Sequence, residues 1–180
     1  MMEEKTLKSE KIYEGKIVTL RVDTVELPDK KHSKREIVEH SGAAAVVPVT
    51  KDGKVILVKQ YRKPVETVLL EIPAGRLEKD EDPEICARRE LAEETGYSTE
   101  RLEKILDYYT SPGFSDEIIH IYLAKDLEAG KAKPDEDEYL EVIEMPFEEL
   151  LDRIMKGEIK DSKTAIGILA ASRILQEQNK

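Results

Sequence analysis

Apolar residues recur along this chain in two rhythms. β-branched, partly alternating runs dominate up to Met145, and helical spacing takes over after it. Lys16–Glu26 (KIVTLRVDTVE) is rich in β-branched residues and reads as a strand, and Lys34–Glu39 resumes as a second after the turn-like PDKKHS. Ala43–Thr50 and Lys54–Tyr61 are two further runs separated by Lys51-Asp52-Gly53, a step that marks a hairpin. Pro48 predicts an irregularity or an edge position in the first of them. Thr67–Ile72 is another strand, stopped by Pro73-Ala74-Gly75. Pro83 then opens a helix that runs to Thr95 and stops at Gly96. Leu102–Tyr109, Ile118–Ala124 and Tyr139–Met145 read as strands. Phe147–Met155 and Thr164–Gln176 carry helical spacing, with Asp161 or Ser162 as the cap of the last. Many strands, one helix, more strands and two helices do not make a doubly wound sheet; they predict an α+β domain, a layered α/β/α arrangement with mixed strands.

Composition narrows the class. The 180 residues suit one ordinary domain, and 39% hydrophobic residues supply a core. The net charge of −10 argues against a duplex nucleic-acid binder, whose affinity needs a basic face. An acidic protein acting on a polyanion instead needs a divalent cation between them. With one cysteine, Cys86, no internal disulfide can form, and Cys86 reads as a small buried hydrophobe. The N-terminus carries no apolar signal and no run is long enough to span a bilayer, so no membrane association and a cytoplasmic location are expected. Lys125–Glu138 is charged, contains Gly130 and Pro134, and reads as a mobile surface loop.

The chemistry concentrates in Gly75–Tyr97, GRLEKDEDPEICARRELAEETGY. Residues three and four apart share a helix face, so Glu90, Glu93 and Glu94 converge. Their repulsion is compounded by the negative end of the macrodipole, so a positive charge belongs there. Mg²⁺ prefers oxygen ligands and is commonly held by a few carboxylates together with substrate phosphate. Gly75, placed in the turn before the helix, permits backbone carbonyls to face the same site. Arg89 is placed to pair with Glu93, and Ala87, Leu91 and Ile85 form the face that anchors the helix.

Gly75, Glu81, Arg89, Glu90, Leu91, Glu93, Glu94, Gly96 and Tyr97 match the Nudix signature G-x5-E-x7-R-E-U-x-E-E-x-G-U at every fixed position. Seven fixed residues at roughly one in twenty give on the order of 10⁻⁹ per starting point by chance. The chain thus resembles the Nudix hydrolases. Ser111–Glu117 (SPGFSDE), with Pro112 fifteen residues after Tyr97, resembles the loop of the ADP-ribose pyrophosphatase subfamily. So do KREIVEH (Lys34–His40), VKQYRKP (Val58–Pro64), EIPAG (Glu71–Gly75) and DEYLE (Asp137–Glu141).

The resemblance implies an α/β/α-sandwich Nudix fold with a mixed β-sheet, an N-terminal strand region over residues 1–40 that forms a homodimer, and a catalytic domain over 41–180. It implies Mg²⁺-dependent hydrolysis of ADP-ribose to AMP and ribose 5-phosphate, with Mn²⁺ as a substitute metal. Glu90, Glu94 and the carbonyl of Ala74 are the implied metal ligands. Glu93 is a further ligand or the orienting partner of Arg89. Glu138, with Glu136 as runner-up, is the implied general base. Arg62 and Arg35 are implied phosphate contacts, and Ser111, Pro112 and Gly113 a shaped substrate loop. Glu81 belongs to the turn. His32, His40 and His120 have no metal-site spacing. Rival readings are another nucleotide substrate (nucleotide sugar, dinucleoside polyphosphate or nucleoside triphosphate) and a non-catalytic ADP-ribose sensor, which has no need of a complete box. Decapping of nucleic acid is disfavoured by the acidity.

Overall fold

The structure, a computed structural model, describes residues 2–133 and 139–178. The chain divides into two compact units, one of residues up to 42 with 109–118, the other of 43–108 with the remainder from 119.

The first unit is an antiparallel meander of β1 (Lys5–Glu14), β2 (Thr19–Glu26) and β3 (His32–Glu39). β1 has no counterpart among the strands expected from the sequence. All ten of its residues are exposed, so neither alternation nor an apolar run marks it; its register with β2, from Lys5 opposite Glu26 to Glu14 opposite Thr19, is what defines it. Residues 111–117 turn back on β3. The amides of Phe114 and Ser115 donate to the Ser111 carbonyl, and the Val38 amide donates to the Phe114 carbonyl at 2.8 Å.

The second unit carries the core. β4 (Ala43–Pro48) runs parallel to β10 (Ile118–Lys125) and antiparallel to the three-residue β7 (Ala74–Arg76), with β9 (Arg101–Tyr109) completing the order β7-β4-β10-β9. Successive residues point to opposite faces. Ala44, Val46, Tyr122 and Ala124 therefore meet Cys86, Ala87 and Leu91 of α1 (Pro83–Thr95), whereas Ala45, Val47, Ile121 and Leu123 join a second cluster with Ile168 and Ala171 of α3 (Ser162–Gln178). Burial on both sides explains why AAAVV is apolar without alternation. Helices on the two faces of a mixed sheet make the α/β/α sandwich. β5 (Lys54–Arg62) belongs to another sheet, β12-β5-β6, between β12 (Leu140–Pro146) and β6 (Thr67–Glu71), and α2 (Phe147–Met155) follows β12. Among the described residues no helix is long and apolar enough to cross a membrane.

Several local expectations change. Lys51-Asp52-Gly53 does turn, with Gly53 at φ 77°, but β4 and β5 share only the Val49–Val55 bridge before entering different sheets. β4 is an interior strand, and Pro48 closes it opposite Ala124, past the end of its pairing with β7 at Ala45. Ala74-Gly75 is strand rather than turn. Ile85 is 61% exposed, and Cys86 takes the anchoring place assigned to it. Lys125–Glu138 does not begin as free loop. β11 (Glu128–Ala129) pairs with β8 (Tyr97–Ser98), and Gly130 and Lys133 donate their amides to the carbonyls of Gly96 and Glu93. The carbonyls at a helix C-terminus need such donors, and this segment supplies them.

Candidate active site

α1 is built to hold its length and position. Asp82 caps it by accepting the Glu84 amide at 2.8 Å, Pro83 occupies the first turn, and Gly96 at φ 76° terminates it while donating to the Ala92 carbonyl. One face is apolar and fully buried. The other presents the acids of the box.

Arg89 organises that face. Its Nε and Nη2 donate to the two oxygens of Glu81 at 2.9 Å each, and its Nη1 donates to Glu90 Oε1 at 2.6 Å and Glu93 Oε2 at 3.0 Å. Glu81 also accepts the Glu78 amide at 2.9 Å, so it both closes the preceding turn and fixes the guanidinium. The hydrogen bonds from Arg89 hold the Glu81 carboxyl down at about 2, against an ordinary 4.5. The expectation that Arg89 pairs with Glu93 is met, and one arginine spans three of the box acids.

Glu90 and Glu94 lean on consecutive residues of β7. Glu94 is 3% exposed and its Oε2 accepts the Ala74 amide at 3.0 Å. Glu90 lies against Gly75, where an added Cβ would sit 1.8 Å from its Oε1. Gly75 is thus required by the close approach of a carboxylate, rather than by a turn. Cys86, beneath them, has its Sγ 3.6 Å from the carbonyls of Gly75 and Arg76. Burial pushes its thiol up to about 12, which removes it as a nucleophile. Two shielded carboxylates beside one stretch of backbone offer only oxygen donors, which suits a hard divalent cation. Among the described residues no group of three His, Cys, Asp or Glu side chains stands ready around one point, so a cation there would draw on backbone or substrate oxygens as well.

Arg62, at the end of β5, lies in the same unit and is engaged. Its Nε and Nη2 each donate to Glu71 at 2.8 Å, and the charge of Glu94 also acts on it. Lys163, from the first turn of α3, donates to the same Glu71, which is 1% exposed. Glu71 and Lys163 are absent from the residues the sequence singled out for chemistry. The signal available was a lysine placed where a helix dipole disfavours it.

Arg35 and Ser111–Gly113 belong to the other unit. Arg35 is occupied with Glu4, at 2.9 Å from Nε, and with the Ser33 hydroxyl. Asp116 accepts the His40 amide at 2.9 Å and helps fasten the Ser111–Glu117 loop to the end of β3. His120 pairs with Asp107 at 2.7 Å, a structural place for that ring. Glu136 and Glu138 lie outside the described residues.

Comparison with known proteins agrees with this geometry. The NUDIX domain matches residues 39–164, and the nucleoside diphosphate sugar hydrolase N-terminal domain matches 4–38. The chain is 52% identical to an ADP-ribose pyrophosphatase of Bacillus subtilis (strain 168), covering 98% of both chains. It is also 52% identical to a methanol dehydrogenase activator of Bacillus methanolicus, covering 93% of this chain and 92% of that one. The crystal structure of an ADP compounds hydrolase superposes with a TM-score of 0.86 at 21% identity over 98% of this chain and 96% of that one, a likeness of fold. With its box complete and its acids mounted on one capped helix, the chain belongs to the NUDIX family and is a Nudix hydrolase.

Proposed function

We propose that this protein hydrolyses ADP-ribose to AMP and ribose 5-phosphate with Mg²⁺ as its metal. The observation that carries the reading is the seating of Glu90 on Gly75 and of Glu94 on Ala74, which puts two shielded carboxylates beside one strand. Glu90, Glu94 and the Ala74 carbonyl would hold the cation, which when bound neutralises diphosphate charge and lowers the pKa of a water. Arg89 keeps Glu90 and Glu93 oriented. Glu93 acts as its partner, since it is the more exposed acid and already donor-bound to that guanidinium. Arg62 offers a guanidinium for the substrate diphosphate. Arg35, Ser111, Pro112 and Gly113 contribute to substrate binding, and Glu138 takes the proton from the attacking water, with Glu136 as the alternative.

The identity with the B. subtilis pyrophosphatase supports the substrate, and the N-terminal match to nucleoside diphosphate sugar hydrolases keeps nucleotide sugars as the nearest rival. Residues 1–40 form the dimerising strand region and 41–180 the catalytic domain of a cytoplasmic homodimer. The exposed edge of β1, with Leu7, Ile12 and Tyr13 each 45% exposed or more, supports a partner there. Light scattering that returns the 20.5 kDa monomer would overturn the dimer.

Product analysis of ADP-ribose turnover in ¹⁸O-labelled water with Mg²⁺ tests the reaction. Label in AMP or in ribose 5-phosphate is expected and reports the phosphorus attacked; intact ADP-ribose, or faster turnover of a nucleotide sugar, refutes the substrate. The relative named as a methanol dehydrogenase activator favours a second reading, activation of a dehydrogenase. Adding this protein to a methanol dehydrogenase assay separates the two.

A further inference from the structure

Lys163 is out of place by ordinary rules. It lies in the first turn of the 17-residue α3, at the positive end of the helix dipole, and its residue is only 9% exposed. Taking an ammonium out of water there is costly unless it is paired. Its partners are Glu71 at the end of β6 and Asp161, whose Oδ1 accepts from Nζ at 3.0 Å. Asp161 also caps the helix through the Thr164 amide, and the Thr164 hydroxyl accepts the Ile72 amide at 2.8 Å. The first turn of α3 is therefore pinned to Glu71–Ile72, two residues before Ala74.

Neutralising Glu71 does not require this lysine. The bidentate guanidinium of Arg62 already meets both carboxylate oxygens. What the second cation changes is the share of Glu71 left to Arg62, because Oε2 accepts from both Nη2 of Arg62 and Nζ of Lys163. Burial opposes the charge on Glu71, yet Arg62 and Lys163 outweigh it and keep the group ionised below the ordinary carboxylate range. A carboxylate divided between two cations grips each less firmly than one devoted to a single partner. The Nη1 of Arg62 is not used in the Glu71 pair.

We propose that Lys163 and Glu71 are positioning residues for the reaction: Glu71 sets the plane of the Arg62 guanidinium beside Glu94, and Lys163 moderates that hold so that Arg62 can turn toward a diphosphate. The inference rests on the assignment of Arg62 to substrate binding given above. Without Lys163, Glu71 belongs wholly to Arg62, and one negative charge is uncovered where an anion must approach. Ground-state binding suffers, and the chemical step is largely spared.

A double-mutant cycle tests this with ADP-ribose and Mg²⁺. Lys163→Met is expected to raise KM about tenfold with kcat within about threefold, and to have little further effect in an Arg62→Ala background. Lys163→Arg restores KM by returning a cation. Lys163→Gln serves the same comparison should the methionine variant not fold. A KM change of equal size in both backgrounds, or a fall in Tm with KM unmoved, overturns the proposal and leaves Lys163 a fold-stabilising residue. Inactive wild type would instead refute the substrate, and an Arg62→Ala variant with unchanged KM would refute the role of Arg62.

Discussion

Replacing Gly75 by alanine separates a structural glycine from a functional one. The new Cβ would lie 1.8 Å from Oε1, 1.9 Å from Cδ and 2.4 Å from Oε2 of Glu90. All three obstructing atoms are the end of a flexible side chain, and none is backbone. The inexpensive response is therefore for the Glu90 carboxylate to swing off β7 by more than about an ångström, leaving the β7–β4 pairing in place. That loses the Arg89–Glu90 contact, a partly exposed pair worth about 0.5–1 kcal/mol, which lowers Tm by only a few degrees in a chain of this size. Catalysis fares worse, because one of the two carboxylates proposed to hold the metal has left its seat. Forfeiting about 3 kcal/mol of charge stabilisation corresponds to roughly a hundredfold in kcat/KM. The assay is initial-rate hydrolysis of ADP-ribose across a Mg²⁺ titration, beside a thermal melt. Half-saturation should move to higher Mg²⁺ and kcat/KM should collapse. Turnover within about threefold of wild type at unchanged half-saturation refutes the close-approach argument, and a loss of Tm beyond about 10 °C shows that Gly75 serves the fold.

The other expectations are briefer. Glu94→Gln keeps an oxygen for the Ala74 amide and should melt within a few degrees of wild type while losing nearly all turnover, measured on ADP-ribose; retained activity contradicts the mechanism. Glu81, held at about 2 against 4.5 in the unfolded chain, contributes stability that is complete above about pH 4.5 and lost as pH falls toward 2. Glu81→Gln should therefore cost about 1–2 kcal/mol at pH 7 and much less near pH 2, read from denaturant melts at each pH, after allowing for solvent around the pair. Mg²⁺ at about a hundred times its dissociation constant should add about 2.7 kcal/mol, raising Tm by several degrees, and a chelator should reverse it. A Tm indifferent to both would count against a metal site.

Legibility in the sequence followed the range of the interactions. α1 could be read to the residue because its signals are local, Pro83 at one end, Gly96 at the other and the box between them. β1 could not, since KTLKSEKIYE buries nothing and is specified by its pairing with β2. Lys51-Asp52-Gly53 correctly marked a turn, yet whether flanking strands pair depends on what else competes for them. Val55 and Leu57 are committed to the core beside β6 and β12, so β5 parts from β4. β7 is three residues long, too short for any periodicity, and the need for glycine at position 75 comes from a carboxylate fifteen residues further along the chain. Lys163 and Glu71 are 92 residues apart, and only the docking of α3 onto β6 joins them. The box is a local pattern that the sequence displays whole, whereas the network behind Arg62 is assembled from residues far apart in the chain.

The charge balance of the second unit ties these parts together. Glu71, Glu81, Glu90, Glu93 and Asp161 share the ion pairs of three cations, Arg62, Arg89 and Lys163. The pairing is not even. Glu81 is satisfied by a bidentate arginine and a backbone amide, and Glu71 by two cations. Glu90 shares Nη1 of Arg89 with Glu93, and Glu94, the most buried acid of the box, takes a neutral amide from Ala74. Glu90 and Glu94 both lie in α1's last turns, at the helix end where the dipole adds to their charge. A fold that uses its arginines to fix acids in place, and seats two carboxylates beside Ala74 and Gly75, concentrates field at one point on the strand. A divalent cation would be attracted there and a bare diphosphate repelled. The acidity that argues against a nucleic-acid partner thus also favours a metal between these carboxylates and a diphosphate.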